Sequence, residues 1–197
     1  MKRLLIRYYD TSNVTIDNLL NSSYLSIVDK LSLEKYKNKE TKKEKIVSTI
    51  FKNKYIGEYK INEHGKPISE NRFFNISHSH GLVVFIEDVV PVGIDIEQIQ
   101  AVKNGLIDFV SNKEEKNYIH DEQSFYEIWT NKEALVKALG TGIKVRPNQI
   151  PGLPINDKRT FEGNTYINHT IRYQNYLISV SRQSEQNYTL EVEEDLL

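Results

Sequence analysis

The chain has 197 residues, 39% of them apolar, enough to bury one sizeable core or two small ones. Its formal charge of −1 gives no global attraction to nucleic acid or a membrane surface, and the lack of cysteine excludes disulfides, thiolate catalysis and cysteine-based metal sites. The opening apolar run is too short for a signal peptide and no later run approaches a membrane span, so we expect a cytoplasmic protein.

The first third of the chain predicts a strand followed by a long, lysine-rich helix. Residues 2–9 have the pattern of a strand, and helical spacing runs from Ser32, a plausible N-cap, to about Tyr55. Eight lysines lie from Lys35 to Lys54, with glutamates among them. The ordinary interpretation is a solvated helix face; the alternative is an electropositive wall for a phosphorylated ligand or an acidic partner.

A turn and a short strand follow. Residues 64–67 read His-Gly-Lys-Pro, a turn that presents Lys66, and residues 73–77 predict a strand leading into Ser-His-Ser-His. Adjacent serine and histidine would suit a nucleophilic hydrolase, but neighbouring residues on extended chain point apart, and no Gly-x-Ser-x-Gly elbow surrounds them. We therefore expect no nucleophile here, and we expect His80 to face solvent.

Two strands are predicted next. Residues 81–87 form an almost wholly apolar run, typical of a central strand, and a turn returns the chain as residues 92–97, so we expect a hairpin that ends near His78. In the second strand apolar residues alternate with polar ones, which places Asp95 and Glu97 on one side, about 7 Å apart at the backbone. Two such carboxylates can bind one hard cation; the alternative is a solvated polar face.

The segment around Trp129 has helical spacing, with an apolar stripe and Gly140 as its C-cap. Lys132 falls within the stripe, while Glu133 and Lys137, four residues apart, share a neighbouring face. Taken alone, these residues would be a surface pair and a lysine that extends past the core edge. Together with Asp95 and Glu97 on a strand, they suit a site in which the carboxylates bind Mg²⁺ and the lysines bind the phosphates of a ligand.

The rest of the chain predicts a short helix and further strands. Ser111 fits a capping box that opens a helix toward Ile119. Residues 165–173, 176–181 and 188–192 alternate like strands, and we expect an antiparallel meander. Each half of the chain therefore offers a long helix and a few strands.

Four ordered blocks resemble the Sfp-type 4'-phosphopantetheinyl transferases. The blocks are Gly65-Lys66-Pro67, Phe74-Asn75-Ile76-Ser77-His78-Ser79, Gly93-Ile94-Asp95-Ile96-Glu97 and Trp129-x-x-Lys132-Glu133-Ala134-x-x-Lys137-x-x-Gly140-x-Gly142. Their order and spacing are a specific signal, whereas Asp-x-Glu alone would be weak. The resemblance implies an α+β fold of two similar α/β subdomains related by a pseudo-twofold axis, each a small antiparallel sheet packed on a long helix. Residues 1–93 would form the coenzyme A nucleotide side, and residues 94–197 the side with the metal ligands and the carrier-protein groove.

The resemblance also implies an activity. The enzyme would transfer 4'-phosphopantetheine from coenzyme A, its co-substrate, to a conserved serine of an acyl or peptidyl carrier protein, releasing 3',5'-ADP. Asp95, Glu97 and Glu133 would bind Mg²⁺ or Mn²⁺, and Glu133 and Lys137 would be catalytic. Because a carboxylate on a cation is a weak base, Glu133 would need concerted attack or a water relay. The residues that would hold coenzyme A are Lys66, Ser77, His78, Lys132, Lys137 and Lys45, the last in a Glu44-Lys45 pair where the family has Asp-Arg.

The resemblance places Phe109 and Val110 beside the carrier-protein groove, with packing on the core as an equal alternative. It implies carrier activation in fatty-acid, polyketide or nonribosomal peptide biosynthesis; chain length and paired halves favour a monomer, and we expect no nucleic-acid or membrane partner. Two other interpretations stay open. One is a non-catalytic coenzyme A or carrier-protein binding module of the same fold, and the other is a lysine-rich module for nucleic acid or an acidic partner, which the near-neutral charge disfavours.

Overall fold

The computed structural model describes residues 2–63, 66–140 and 146–197. Gly65 and Gly142 of the motif blocks lie outside the described residues. The α-helices are α1 (Ile16–Leu20), α2 (Ile27–Leu33), α3 (Lys39–Phe51), α4 (Leu106–Val110), α5 (Lys113–Tyr118) and α6 (Glu122–Leu139). The strands are β1 (Lys2–Asp10), β2 (Lys60–Ile61), β3 (Pro67–Ile68), β4 (Phe73–Ser79), β5 (Leu82–Asp88), β6 (Val92–Gln98), β7 (Lys158–Phe161), β8 (Asn164–Tyr173), β9 (Tyr176–Gln183) and β10 (Tyr188–Glu194). A π-helical turn (Lys52–Ile56) continues α3, and a 3₁₀ turn (Pro147–Gln149) precedes β7.

The first sheet has the strand order β10-β1-β5-β4. β5 pairs antiparallel with β1 and β4, and β10 pairs in parallel with β1, with Leu190 opposite Leu4. The sequence of β5, apolar from Leu82 to Ile86, fits a strand covered on both faces, so the predicted central strand is confirmed.

The second sheet is antiparallel, with the order β6-β9-β8-β7. The predicted hairpin between residues 81–87 and 92–97 is therefore wrong, because β1 and β4 occupy both edges of β5, and the chain crosses into the other sheet. The predicted meander is correct for β8 and β9 but wrong for residues 188–192. Both edges of β9 are already paired, with β6 and β8, so β10 joins the first sheet instead.

The lysine-rich segment forms two helices instead of the single helix predicted from Ser32. Ser26 caps α2 in a capping box with Asp29, and the Asn38 side chain accepts a hydrogen bond from the Thr41 N–H to begin α3. Local caps thus divide a segment whose overall periodicity suggested one helix. The apolar face of α3 packs on the outer face of the first sheet through a cluster that includes Ile46, Val47, Ile50, Phe51, Val83 and Phe85.

The two sheets face each other around a shared core. Alternate residues of β5 and β6, such as Val84 and Ile94, point into this core, and β9 adds Val180. The other face of β6 meets α6 at very short range: a Cβ on Gly93 would lie 2.1 Å from the Ala134 carbonyl oxygen. Only glycine allows this approach of strand and helix. α6 ends at Gly140, whose φ of 74° confirms the predicted C-cap.

The architecture is therefore α+β, with two facing sheets and the long helices α3 and α6 on their outer faces. The predicted fold class is confirmed, although β10 makes the first sheet mixed. The division into residues 1–93 and 94–197 stays a prediction, and β10 crosses it. In the described part of the chain, the helices lack the combination of length and apolar character needed to cross a membrane.

Candidate functional site

The site lies where β6 packs against α6. The alternation of β6 sends its isoleucines into the shared core and turns Asp95 and Glu97 toward the helix. Asp95 is only 4% exposed, so the alternative interpretation of a solvated polar face is wrong for it. Glu133 and Lys137 reach the same place from α6 because residues four apart share a helix face.

These side chains line one open cavity of about 260 Å³ between the two sheets and α6. The residues around it are Ile76, Ser77, His78, Asp95, Glu97, Trp129, Glu133 and Lys137. The structure therefore brings together all three acids predicted as metal ligands, together with Ser77, His78 and Lys137. Their roles stay predictions.

Asp95 is held through one carboxylate oxygen. Its Oδ1 accepts hydrogen bonds from Lys137 Nζ at 2.6 Å and from Ser77 Oγ at 2.8 Å. Its Oδ2 is buried and has no hydrogen-bond partner within residues 2–63, 66–140 and 146–197. Burying a carboxylate oxygen without a hydrogen-bond donor costs folding free energy, and a bound cation would offset that cost.

The other two acids are destabilised as anions. Burial, followed by the charge of Asp95, raises the pKa of Glu97, although hydrogen bonds from Ser79 and from the Trp129 indole oppose this. Burial and the charges of Asp95 and Glu97 raise the pKa of Glu133 to about 7, against the opposing effect of Lys137. Bringing these carboxylates together is unfavourable without further positive charge.

The donor set fits a hard divalent cation, which prefers several carboxylate oxygens. In this structure the donor set is not arranged as a closed metal site, because no three acidic or histidine side chains of the described segments form a group that could hold an ion as they stand. The fit therefore depends on the unpartnered Asp95 Oδ2 and on the crowding of Asp95, Glu97 and Glu133 around one cavity.

His78 lies between this cavity and a larger cavity of about 450 Å³. Its Nδ1 lies 3.0 Å from Glu44 Oε2, and its Nε2 lies 2.9 Å from Lys45 Nζ. Burial favours the neutral form of Glu44, but hydrogen bonds from His78 and the Gly81 N–H lower its pKa overall. The Glu44-Lys45 pair thus orients the imidazole, and Lys35, Lys45 and Lys52 line the larger cavity, as an electropositive wall would require.

Lys66 does not line the cavity of the acids. Its Nζ donates to the carbonyl oxygen of Lys137 at 2.5 Å, and its side chain borders a separate cavity of about 160 Å³. Burial lowers its pKa to about 8. Its predicted contact with coenzyme A phosphates stays a prediction.

Lys132 lies outside the cavity and is buried, which corrects the prediction that it holds coenzyme A. It is 1% exposed, and its Nζ donates to Glu115 Oε2 at 2.6 Å and to the carbonyl oxygens of Val110 and Pro147. Arg159 lies beside this network and donates to the Asn131 side chain at 2.8 Å. Lys132 therefore links α6 to α4, to α5 and to the 3₁₀ turn through its hydrogen bonds.

The structure separates the two candidate docking residues. Phe109 is 59% exposed and remains available to a partner, whereas Val110 is fully buried, so its predicted docking role is wrong. The N-cap of the next helix is Asn112, which forms a capping box with Glu115, and not the predicted Ser111. The prediction was one residue out because both positions carry suitable cap residues. His80 is exposed, as predicted.

Sequence reasoning missed four residues at the site. Glu44 was assigned no contact with His78, and Trp129 was assigned only to an apolar stripe. Asn75 and Ser79 reach across to β6, where they bind the Ile94 N–H and the Glu97 carboxylate. The available signal was that Asn75, Ser77 and Ser79 alternate along β4 with the same period as Asp95 and Glu97 along β6.

Acids, a lysine and a histidine around one cavity, between the two sheets and α6, define a candidate site for a divalent cation and a phosphorylated ligand. A family model described as the 4'-phosphopantetheinyl transferase superfamily matches residues 91–192, just over half of the chain. The chain belongs to this superfamily.

Curated relatives show the same likeness. The 4'-phosphopantetheinyl transferase gsp of Aneurinibacillus migulanus is 35% identical over 97 residues, covering 46% of this chain and 41% of the relative. The transferase Sfp of Bacillus subtilis (strain 168) is 33% identical over 96 residues, covering 44% and 43%. The chain thus aligns with less than half the length of these relatives.

A solved structure, the holo-[acyl-carrier-protein] synthase (AcpS) of Thermotoga maritima, is 16% identical, with a TM-score of 0.38 over 49% of this chain and 64% of that chain. A score this low supports no conclusion about fold or function.

Proposed function

We propose that this protein transfers the 4'-phosphopantetheine group of coenzyme A to a serine hydroxyl of an acyl or peptidyl carrier protein. The observation that carries the proposal is the meeting of Asp95, Glu97 and Glu133 in one cavity beside Lys137 and His78. Membership of the 4'-phosphopantetheinyl transferase superfamily supports the reaction class. In this reaction the serine oxygen forms a bond to phosphorus, a pyrophosphate P–O bond breaks, and 3',5'-ADP leaves.

Asp95, Glu97 and Glu133 would hold the divalent cation, Mg²⁺ or Mn²⁺. Two observations support this: Asp95 Oδ2 is buried without a donor in the described segments, and the pKa values of Glu97 and Glu133 are raised by burial and mutual charge. When bound, the ion would neutralise the pyrophosphate and stabilise the charge of the leaving phosphate.

The cations of the site would bind the phosphates and the nucleotide. Lys137 Nζ lies 2.6 Å from Asp95 Oδ1, which places its amine beside the acids, where pyrophosphate oxygens would bind. His78 borders both cavities, and Lys45 lies beside it. We assign the larger, lysine-lined cavity to the nucleotide end of coenzyme A, where Lys35 and Lys52 add positive charge.

Glu133 is the proposed acceptor of the serine proton. Its pKa of about 7 in the protein is near the range in which a carboxylate exchanges protons at neutral pH. A cation beside it would lower this pKa, so the proton leaves in concert with attack or through a water molecule. Glu133 thus has two roles, as ligand and as base, that oppose each other energetically.

The carrier protein would dock beside α4. Phe109 presents an exposed aromatic ring there, and aromatic side chains often anchor protein interfaces. Val110 is excluded because it is buried. The proposal includes a cytoplasmic, monomeric enzyme that serves a fatty-acid, polyketide or nonribosomal peptide carrier; size-exclusion chromatography with light scattering tests the monomer.

One assay tests the activity. The protein is mixed with MgCl₂, coenzyme A and apo carrier proteins from the three biosynthetic classes, and intact mass spectrometry detects the phosphopantetheine adduct. We expect an adduct on at least one carrier, and we expect EDTA to abolish it. Coenzyme A binding without any adduct would instead favour a non-catalytic binding module.

A further inference from the structure

β4 and β6 are edge strands of different sheets, and they lie side by side at the cavity. An edge strand carries unpaired backbone groups that need partners. Here side chains supply them. Asn75, Ser77 and Ser79 alternate along β4, and all three reach hydrogen-bonding distance of β6. We call these three residues the polar seam.

The polar seam fixes the backbone of β6. Asn75 Oδ1 accepts the Ile94 N–H at 3.1 Å, and Ser79 Oγ accepts the Gln98 N–H at 3.3 Å. The two acceptors are four residues apart on β4, and the two donors are four residues apart on β6. The bonds therefore set one register along the length of β6 that carries Asp95.

The same polar seam holds the carboxylates. Ser77 Oγ donates to Asp95 Oδ1 at 2.8 Å, and Ser79 Oγ donates to Glu97 Oε2 at 2.9 Å. Lys137 Nζ completes the first contact by donating to Ser77 Oγ at 2.9 Å. Both serines are buried, 6% and 7% exposed, so water competes little for these bonds.

We propose that Ser79, with Ser77 beside it, is a positioning residue that orients the acids for the divalent cation; this rests on the proposed function. A glutamate side chain has several rotatable bonds, and fixing it before the ion arrives reduces the entropy lost on binding. For Asp95, holding Oδ1 leaves Oδ2 as the oxygen without a donor in the described residues. Hydrogen bonds behind metal ligands typically change metal affinity about 10- to 100-fold.

Ser79 gives the test because it does not line the cavity, so its hydroxyl can act on a bound ion only through Glu97 and the β6 backbone at Gln98. The matched control is Ser181→Ala. Ser181 is a fully buried strand serine whose Oγ has no hydrogen-bond partner in the described chain. Ser79→Thr retains the hydroxyl, and Ser79→Cys keeps the size but donates weakly.

The readout is fluorescence from Trp129, the protein's single tryptophan, which borders the cavity and donates to Glu97. MgCl₂ or MnCl₂ is titrated with coenzyme A present, and coenzyme A affinity is measured separately in EDTA by calorimetry. We expect Ser79→Ala to weaken metal binding about tenfold or more while coenzyme A affinity in EDTA stays within about twofold. Ser79→Thr should restore metal affinity to within about threefold of wild type, and Ser181→Ala should match wild type.

The outcomes separate the two proposals. If wild type binds the metal and Ser79→Ala binds it equally well, the positioning role is overturned while the proposed function stands. If wild type with coenzyme A shows no metal binding, the metal site itself fails and the positioning role falls with it. If Ser79→Ala has a melting temperature far below that of Ser181→Ala, metal binding is measured on Ser79→Cys instead. Weakened metal binding by Ser79→Cys supports the positioning role, and unchanged binding overturns it.

Discussion

Lys132 and Glu133 are neighbours on α6, yet their charges are in opposite situations. Lys132 is 1% exposed and donates to one carboxylate and two backbone carbonyls. Glu133 borders an open cavity, has its pKa raised to about 7, and has no hydrogen bond to its carboxylate from the described residues. One charge is fully compensated by the fold, and the other is not.

This difference separates structure from chemistry along a single helix. A buried ion pair with every donor matched adds rigidity and leaves nothing for a ligand. A crowded acid beside two others stores unfavourable charge that a cation or a proton can relieve, which is typical of functional sites. We therefore expect substitution of Lys132 to reduce stability and substitution of Glu133 to reduce activity.

The largest effect on stability is expected for Lys132→Met. Removing the amine leaves Glu115 buried without its cation, which typically costs about 3–5 kcal/mol of unfolding free energy. Urea denaturation measures this loss. Adding Glu115→Gln to the variant should recover part of it, because the uncompensated charge disappears. Unchanged stability together with weaker coenzyme A binding would contradict this structural role and support the original prediction that Lys132 binds the coenzyme A phosphates.

Glu133→Gln should show the opposite pattern. We expect coenzyme A binding to persist and turnover to fall about 10³-fold, the range of a lost proton acceptor, equivalent to about 4 kcal/mol. Intact-mass kinetics give the rate, calorimetry gives the binding, and Glu122→Gln at the exposed start of α6 is the control. Retained catalysis with wild-type metal affinity would remove Glu133 from the base role.

Gly93→Ala should disturb the contact between β6 and α6 that brings Glu133 to the cavity. The new Cβ would lie 2.1 Å from the Ala134 carbonyl oxygen and 2.4 Å from the Ala138 nitrogen, so β6 and α6 must separate. We expect a loss of about 3 kcal/mol in urea denaturation, with weaker metal binding. Gly105→Ala, which meets no atom within 4 Å but has a φ of +79°, should lose only about 1 kcal/mol. Equal losses would mean that the close contact with α6 does not determine the cost of a side chain at Gly93.

Lys66 is an intermediate case, a partly buried lysine with one carbonyl acceptor. Burial lowers its pKa to about 8, from 10.5, so between these values the unfolded chain binds more protons than the folded one. Stability should therefore rise with pH across this window, by on the order of 1 kcal/mol after screening. Comparing urea denaturation of wild type and Lys66→Met at pH 7 and 10 measures the difference, and Lys66→Met should lack this rise. The exposed Lys60→Met should keep the wild-type slope.

Local periodicity was enough to predict the acidic part of the site. The alternation along residues 92–97 predicts that Asp95 and Glu97 share one face of a strand. The four-residue spacing predicts that Glu133 and Lys137 share one face of a helix, and the structure brings these two faces together. What failed depends on distant partners. The burial of Lys132 requires Glu115, and the placement of residues 188–192 requires a free edge on β1, neither of which periodicity can reveal.

The parallel pairing of β10 with β1 has a consequence for biogenesis. A ribosome makes β1, β4 and β5 long before β10, and pairing strands so distant in sequence is slow. Until residues 188–194 emerge, β1 keeps an open edge that can pair with other chains. Hydrogen exchange on a chain truncated after residue 187 should show β1 amides losing protection. We therefore expect nascent chains to be open to pairing at β1 until residues 188–194 have been made and have joined the sheet.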